Sequence, residues 1–353
     1  MHVGLNKKLF LENGYLNIPW ILSRGFAFNI VTGGRGTGKT YGAIQYFVKN
    51  GIFTIFMRRT QTQADVVMSP TLSSFKEPCD DLGISYMIKG LKGVKNVRLA
   101  YFGENCDEDC ENPQPGALCV ALSTFSNIRG ASVKEAELLV FDEFIGEPHE
   151  KRLKNEDSAF FNTFETVNRN RELQGKKPLQ AILFSNADTF DSPLLMELKL
   201  INTIVSIKEG DAGQGVRDFP DRDLSVIVLQ DSEISKKKEN TALYRLTEGT
   251  RFREMSLGNT FDTRGFKYVK SMSLKPFNLG IEVGEIYIYT HKAERLLYVS
   301  THRKGTARYV YASDPPDLKR FKLENAWLKN MFLSGEMRFE TPTCQMLLTK
   351  YLE

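Results

Sequence analysis

The chain has 353 residues, which is long enough for two domains that each bury a core of their own. Its composition is that of an ordinary globular protein, no run of about 18 apolar residues predicts a membrane span, and the N-terminus lacks the apolar core of a secretory signal. Residues 231–353 contain 21 lysines and arginines and 15 acidic residues. Residues 1–230 contain 26 lysines and arginines and 28 acidic residues. The basic part of the chain would meet a polyanion, although a solvated basic surface explains the same counts equally well.

Short apolar runs alternate with helical patterns along the first 205 residues. The strand-like runs cover 26–32, 51–59, 116–123, 136–144 and 179–187, and the helical patterns cover 39–49 and 158–173. Continuous apolar strands that alternate with helices indicate an α/β fold with a parallel sheet covered on both faces. The more polar segment between 60 and 115 is expected to decorate this core.

The pattern changes after residue 205. Residues 208–223 combine Gly, Pro and charge, which predicts a linker, and 231–257 form a charged helical pattern. β-rich stretches begin at about 265, with a hairpin expected at 290–295, and helical patterns return from about 324. We therefore predict an α/β domain at 1–205, a linker and helical hinge segment at 206–262, and a small α+β domain at 263–353.

Five cysteines are present, and Cys106, Cys110 and Cys119 lie close together. Zinc usually takes four ligands at tight spacing, whereas no fourth ligand stands beside these three. His149 or Cys79 would join them only through the fold. We favour reduced thiols in a surface loop of an intracellular protein, with a zinc site as the alternative.

The stretch "NIVTGGRGTGKTYGAI" at 29–44 carries the strongest motif. After a predicted strand and before a predicted helix it matches G-x4-G-K-[ST], with Gly33, Gly34, Arg35, Gly36, Thr37, Gly38, Lys39 and Thr40. The glycines let backbone N–H groups point at phosphate oxygens, and the helix N-terminus adds partial positive charge. Lys39 is expected to reach the outer phosphates of ATP, and the Thr40 hydroxyl to bind Mg²⁺.

The run "LLVFDEF" at 138–144 supplies a second set of groups, because it ends in Asp142 and Glu143. We expect this strand to lie beside the strand of the phosphate loop. Asp142 would then hold Mg²⁺, and Glu143 would orient and deprotonate the attacking water. The plain alternative is a strand end with two solvated acids.

Further candidates lie at the ends of other elements. Asn186 ends the run "LFSNA" and is a candidate contact for the outermost phosphate or the attacking water, with Ser185 the weaker choice. Arg129, Arg169 and Arg171 are candidates for the arginine that neutralises charge at a transferring phosphate and that ring motors take from a neighbouring subunit. From chemistry alone, each is more often an ordinary surface arginine.

The blocks "GGRGTGKT", "LLVFDEF", "TVNRNRE", "LFSNA" and "LTEGTRFREMSLGNTF" together resemble the phi29-like bacteriophage DNA-packaging motor ATPases, a small branch of the viral packaging and terminase ATPases. The resemblance runs from about residue 20 to the end. It implies an additional-strand P-loop fold of the RecA, FtsK–HerA and terminase type, followed by a ribonuclease-H-like domain that has lost its nuclease. It also implies a homopentameric ring, at the portal of an empty capsid in the host cytoplasm, that translocates double-stranded DNA by ATP hydrolysis.

The same resemblance suggests roles for three arginines. Arg35 stands inside the phosphate loop, as in many terminase-type loops. Arg169 matches the family's arginine finger, which acts on the neighbouring subunit's ATP, and Arg129 falls at a basic position of the subunit interface. The cysteine-containing insert has no counterpart in the family pattern.

The basic back of the chain offers candidates for DNA contact, which a motor should make mostly to phosphates. They are Lys236, Lys237, Lys238, Arg303 and Lys304, and for each a solvated surface charge is an equally good explanation. A two-metal nuclease needs several converging carboxylates, and Glu282, Glu285, Asp314 and Asp317 form no convincing set.

Two other functions remain open at this level. One is a terminase-type ATPase with an active nuclease, and the other is a nucleotide-gated DNA-binding or scaffolding protein without turnover. We expect no membrane partner.

Overall fold

A computed structural model describes residues 8–69, 71–91, 93–103, 106, 115–128, 133, 135–147, 150, 153–186, 190, 192–209, 215–229, 233–250, 253, 256 and 266–353. The chain divides into two compact units. The first unit comprises Met1–Leu198 and Ile204–Phe261, and the second comprises Lys199–Thr203 and Asp262–Glu353. In these described ranges, no helix is long and apolar enough to cross a membrane.

A nine-stranded sheet forms the centre of the first unit. Its strands are β1 (Phe28–Thr32), β2 (Thr54–Arg58), β3 (Ser85–Gly90), β4 (Arg98–Gly103), β5 (Pro115–Ala121), β6 (Leu138–Phe141), β7 (Gln180–Ser185), β8 (Val216–Phe219) and β9 (Leu224–Val228). Their order is β3-β4-β5-β2-β6-β7-β1-β9-β8. The six central strands β5, β2, β6, β7, β1 and β9 are parallel. Strands β3, β4 and β8 pair antiparallel at the two edges. The predicted α/β fold with a large parallel sheet is confirmed.

The helices of the first unit connect and cover these strands. They are α1 (Ile18–Ser23), α2 (Lys39–Lys49), α3 (Gln61–Val67), α4 (Lys76–Leu82), α5 (Glu156–Asn168), α6 (Pro193–Glu197), α7 (Ile201–Glu209), α8 (Glu233–Lys238) and α9 (Ala242–Leu246). The first three residues of α7, up to Thr203, are assigned to the second unit. Helix α2 follows the phosphate loop and buries Ala43, Ile44 and Phe47 at helical spacing. Strand β6 is buried throughout, as a continuous apolar run predicts for an inner parallel strand.

The expected position of the Asp142 strand was wrong. Strand β6 lies beside β2 and β7, and β7 separates it from β1. The crossover between two parallel strands can skip a neighbouring position in the sheet, and a short apolar run contains no signal for which strand it pairs with. The consequence for the site is that Asn186, at the end of β7, lies between the phosphate loop and the Asp142–Glu143 pair.

Two segments outside the predicted core strands belong to the sheet. Strands β3 and β4 fall in the segment expected only to decorate the core, and they extend the sheet beyond β5. Strand β9 falls within the predicted linker and pairs with β1 along its whole length, from Phe28 with Leu224 to Thr32 with Val228. Its apolar run of five residues is short, and the Gly, Pro and Asp residues before it masked the strand signal.

The cysteines do not lie in an exposed loop where the structure describes them. Cys106 and Cys119 are buried, and burial raises the pKa of the Cys119 thiol to about 12. A buried thiol with a raised pKa is unreactive at neutral pH. Cys110 and His149 lie outside the described residues.

A five-stranded mixed sheet forms the second unit. Its strands are β10 (Phe277–Val283), β11 (Ile286–His291), β12 (Leu297–Ser300), β13 (Tyr309–Tyr311) and β14 (Met337–Phe339), in the order β13-β10-β11-β12-β14. Strands β10, β11 and β12 form an antiparallel meander, and β13 and β14 add to it in parallel. Helices α10 (Pro315–Glu324), α11 (Trp327–Leu333) and α12 (Pro342–Leu352) complete it. The hairpin expected at 290–295 is confirmed by the β11–β12 pair.

Candidate functional site

The phosphate loop follows β1 and turns into α2, and its geometry explains its glycines. Gly36 and Gly38 have φ of +74° and +78°, a region that favours glycine. A Cβ at Gly38 would lie 2.5 Å from the Tyr15 ring, and one at Gly33 would lie 2.4 Å from the Leu229 Cβ. The loop is therefore closely packed from outside, which holds its backbone in one shape.

Lys39 lies inside this loop. Its Nζ donates to the carbonyl oxygens of Gly33 and Gly34 at 3.0 and 2.7 Å, and the residue is buried. Thr37 Oγ1 also donates to the Gly34 carbonyl, at 3.2 Å. The ammonium group is thus held at the centre of the loop, where it is available to an anion that the loop encloses.

Thr40 and Asp142 meet across the cleft, although they come from opposite sides of β7. The Thr40 hydroxyl donates to the Asp142 carboxylate, with Oγ1 lying 2.9 Å from both carboxylate oxygens. A hydroxyl and a carboxylate are the kinds of ligand that Mg²⁺ takes beside substrate phosphates. Among the described residues, no group of three or more His, Cys, Asp and Glu side chains is arranged to hold a metal ion, so a metal here would need the phosphates as well.

Glu143 directly follows Asp142 and has a φ of +55°, which turns the chain sharply after β6. Arg58, at the end of β2, lies with its Nη1 2.6 Å from Glu143 Oε2 and 3.3 Å from Asp142 Oδ2. Burial raises the pKa of Glu143, and the Arg58 guanidinium opposes that rise. A carboxylate with a raised pKa is a better proton acceptor than an ordinary glutamate.

The phosphate loop, Thr40 and the Asp142–Glu143 pair line one cleft of 280 Å³ at the carboxyl edge of the parallel strands. The lining includes Arg35, Gly36, Gly38, Lys39, Thr40, Tyr41, Asp142, Glu143, Phe184, Ser185 and Asn186. Carboxyl edges are where open parallel sheets bind their ligands. The buried Ser185 Oγ has no hydrogen-bond partner among the described residues, which fits a site built for a polar ligand.

Two charged contacts at the cleft were not predicted from the sequence. One is Arg58, and the other is the ion pair between Arg35 and Glu147, which ties the phosphate loop to the segment after Glu143. The arginine doublet in "MRR" (57–59), at the end of a predicted strand, was the available signal for Arg58. It became informative only once β2 was known to adjoin β6.

Arg169 is not brought into the cleft of its own chain. It follows the C-terminal end of α5, and Arg171 beside it donates to the Ala136 carbonyl, just before β6. That location is the amino edge of the parallel strands, opposite the phosphate loop. Arg169 has a φ of +45° and donates through Nε to the Thr166 carbonyl at 3.1 Å. Arg129 lies outside the described residues.

The predicted DNA-contacting residues have different environments. Lys236, Lys237, Arg303 and Lys304 are exposed, and Arg303 lies 3.2 Å from the Glu282 carboxylate. Lys238 instead points at the phosphate loop, where its Nζ donates to the Arg35 carbonyl at 3.3 Å.

The acids of the second unit take part in other contacts. Glu285 pairs with Lys199 at 2.8 Å. Asp314 caps α10 by accepting from the Asp317 backbone N–H, and Asp317 accepts from the Ala312 N–H.

Comparison with known proteins decides the family. The family model described as Podovirus DNA encapsidation protein (Gp16) matches residues 11–344. The chain belongs to this family. The resemblance to phi29-like packaging proteins is therefore confirmed.

Relatives of this Gp16-family chain cover nearly its whole length. The DNA packaging protein of Bacillus phage phi29 is 25% identical over 356 aligned positions, covering 92% of this chain and 93% of the relative. The DNA packaging protein of Bacillus phage B103 is also 25% identical, covering 91% and 94%.

Two solved structures share the fold. A chain of the bacteriophage Phi-29 viral genome packaging motor assembly matches with a TM-score of 0.67 and 21% identity, covering 96% of this chain and 100% of that chain. A chain of the Phi-28 gp11 DNA packaging motor matches with a TM-score of 0.62 and 18% identity, covering 94% and 97%.

Proposed function

We propose that this protein is an ATP-hydrolysing motor subunit that translocates double-stranded viral DNA into a preformed capsid. The observation that carries the proposal is the cleft that Lys39, Thr40, Asp142 and Glu143 share at the carboxyl edge of the sheet, with Arg58 paired to Glu143 beside it. The DNA packaging role is supported by family membership and by the names of the relatives from phages phi29 and B103.

The residues of the cleft divide the work of hydrolysis among them. The loop N–H groups and Lys39 bind the phosphates of ATP, and Thr40 and Asp142 hold Mg²⁺. When bound, Mg²⁺ neutralises charge on the phosphate oxygens. Glu143 orients the attacking water and accepts its proton, which its raised pKa favours. Asn186 contacts the water or the outermost phosphate and reports the loss of that phosphate to β7.

Arg58 places a positive charge next to the Glu143 carboxylate. While its guanidinium pairs with Glu143, the carboxylate is engaged and is a weaker proton acceptor. Turnover therefore requires Glu143 to exchange Arg58 for water when the substrate is in place. Arg35, which pairs with Glu147, adds a second cation at the mouth of the cleft.

The motor acts as a ring at the capsid portal, with the pentamer implied by the family resemblance as the proposed stoichiometry. Arg169 and Arg129 serve the ATP of a neighbouring subunit. The position of Arg169 at the amino edge of its own sheet supports action on another chain, because its own cleft lies at the opposite edge. The motor works in the host cytoplasm and binds the procapsid only transiently.

DNA is held through its phosphates by exposed cations, including Lys236, Lys237, Arg303 and Lys304. We further propose that the second unit derives from a ribonuclease-H-like nuclease. The absence of nuclease activity is supported by the contacts of the acidic residues in this unit. Ion pairs or helix capping engage Glu282, Glu285, Asp314 and Asp317.

The test is ATP hydrolysis by the purified protein, with and without random-sequence double-stranded DNA, alongside electrophoresis of that DNA. Turnover stimulated by DNA that stays intact is the expected result, and empty capsids bearing the portal should be added if the free protein is silent. Metal-dependent cutting of the DNA would favour the alternative function, a terminase-type ATPase with an active nuclease. Tight ATP binding without turnover, even on capsids, would favour a nucleotide-gated binding protein.

A further inference from the structure

Lys238 is brought to the phosphate loop by the pairing of β9 with β1. The two strands are parallel and in register up to Thr32 and Val228, and the Leu229 N–H donates to the Thr32 carbonyl at 2.7 Å. The chain after β9 therefore leaves the sheet at the same edge as the phosphate loop. Helix α8 follows, and Lys238 is its last residue.

The Lys238 ammonium lies directly against the loop backbone. Its Nζ donates to the Arg35 carbonyl at 3.3 Å, and a Cβ built on Gly36 would lie 1.7 Å from the same Nζ. Lys238 thus occupies the space that the missing side chain of Gly36 leaves open. Two lysines therefore donate to carbonyl oxygens of the same eight-residue loop, Lys39 to those of Gly33 and Gly34 and Lys238 to that of Arg35.

Within the described part of the chain, the Lys238 ammonium has no carboxylate to balance its charge, since its Nζ donates there only to the Arg35 carbonyl. Burial lowers the pKa of Lys238, which means that the charged form is poorly solvated in this position. An anion bound in the cleft would compensate that cost. Lys236 and Lys237, in the same helix, are exposed and lack this arrangement.

The end of the loop that Lys238 contacts is the end nearest the proposed base. Arg35 lines the same cleft as Glu143 and pairs with Glu147, four residues further along the chain, so the Arg35 end faces the Glu143 side of the cleft. If Glu143 activates the water, the outermost phosphate must lie on that side.

We propose that Lys238 is a second phosphate-contacting lysine, which binds the outermost phosphate of a nucleoside triphosphate in its own subunit and so ties α8 to the nucleotide state. This inference rests on the proposed function. It also places Lys238 outside the set of DNA-contacting residues. Loss of the outermost phosphate would free α8, which belongs to the segment leading toward the second unit.

Binding measurements test this directly. The dissociation constants of a non-hydrolysable ATP analogue and of ADP are measured by calorimetry for the wild-type protein, Lys238→Gln, Lys238→Arg and Lys49→Gln, an exposed lysine at the far end of α2. We expect Lys238→Gln to weaken binding of the analogue about tenfold, the effect of losing one charged hydrogen bond, while ADP binding changes less than about twofold. Lys238→Arg should recover part of the loss, and Lys49→Gln should match the wild type.

A second readout follows α8 itself. Amide hydrogen exchange in 233–246 should slow when the analogue binds to the wild type, and should not slow in Lys238→Gln. Unchanged analogue binding in Lys238→Gln, or equal losses for the analogue and ADP, would overturn the proposal. If instead the wild type binds neither nucleotide, or Lys39→Ala binds as tightly as the wild type, the proposed function itself fails.

Discussion

Arg58 Nη1 lies 2.6 Å from Glu143 Oε2, so the proposed base forms an ion pair with the arginine that ends the neighbouring strand β2. The same guanidinium lies 3.3 Å from Asp142. One arginine therefore faces both acids of the cleft, and it lowers the pKa of Glu143 against the rise that burial causes.

Replacing Arg58 with Met should move the acid limb of the pH–rate profile toward higher pH. A base must be ionised to act, so turnover falls as the pH drops through the pKa of Glu143. Without Arg58 nothing from β2 opposes the effect of burial, and that pKa rises further. The measurement is the ATP hydrolysis rate against pH, with Arg222→Met as a control at an arginine remote from the cleft. An unchanged acid limb would show that the ion pair does not control the base.

A buried ion pair next to the site should contribute strongly to stability. Arg59 Nε lies 2.7 Å from Glu156 Oε1, and both side chains are only 4% exposed. Arg59→Met leaves the Glu156 charge without its partner, so we expect a loss of about 3–5 kcal/mol in the free energy of unfolding. The check is urea denaturation, compared with Arg295→Met, which breaks an exposed pair with Glu336 and should cost about 1 kcal/mol or less. Equal losses in the two variants would contradict the prediction.

Arg169→Gly separates the function of this arginine from its structural effect. The residue has a φ of +45°, which glycine adopts without steric cost, so relief of this strain should offset the lost hydrogen bond to the Thr166 carbonyl and stability should change little. ATP binding should stay near normal, while turnover is lost because the neighbour's phosphate lacks its cation. Mixing Arg169→Gly with Glu143→Gln subunits should restore turnover, because some interfaces then carry an intact arginine and an intact base. Normal turnover by Arg169→Gly alone would rule out the arginine-finger role.

The exposed lysines of α8 should contribute to DNA binding only through charge. Changing Lys236 and Lys237 together to Ala should reduce the slope of log affinity against log salt by about 2, and by the same amount for any DNA sequence. Fluorescence anisotropy with labelled duplexes at several salt concentrations measures this. Nucleotide affinity should stay unchanged, in contrast to Lys238→Gln, and an unchanged salt slope would remove these lysines from the DNA surface.

The sequence was most informative where the chemistry is local in the chain. The phosphate loop needs eight consecutive residues, so its motif identified the loop, its strand and α2 together. Asp142, Glu143 and Asn186 were found because each ends an apolar strand.

Partners that depend on strand order were not visible in the same way. Arg58 meets Glu143 only because β2 adjoins β6, and Lys238 meets Gly36 only because β9 adjoins β1. The five-residue run of β9 lies beside turn-forming residues, which is why the sequence pattern predicts a linker there. Unless β9 is recognised as a strand beside β1, the sequence gives no reason to expect Lys238, more than 200 positions away, at the phosphate loop.

Glu143→Gln tests the central claim most directly, namely that this cleft hydrolyses ATP with Glu143 as the base. Nucleotide binding and ATP hydrolysis are measured on the same preparations of wild type and variant, assembled with DNA and empty capsids. The amide keeps the size of the side chain but accepts no proton, so we expect binding within about twofold and a loss of turnover of at least about 100-fold. Hydrolysis at the wild-type rate by Glu143→Gln would contradict the account.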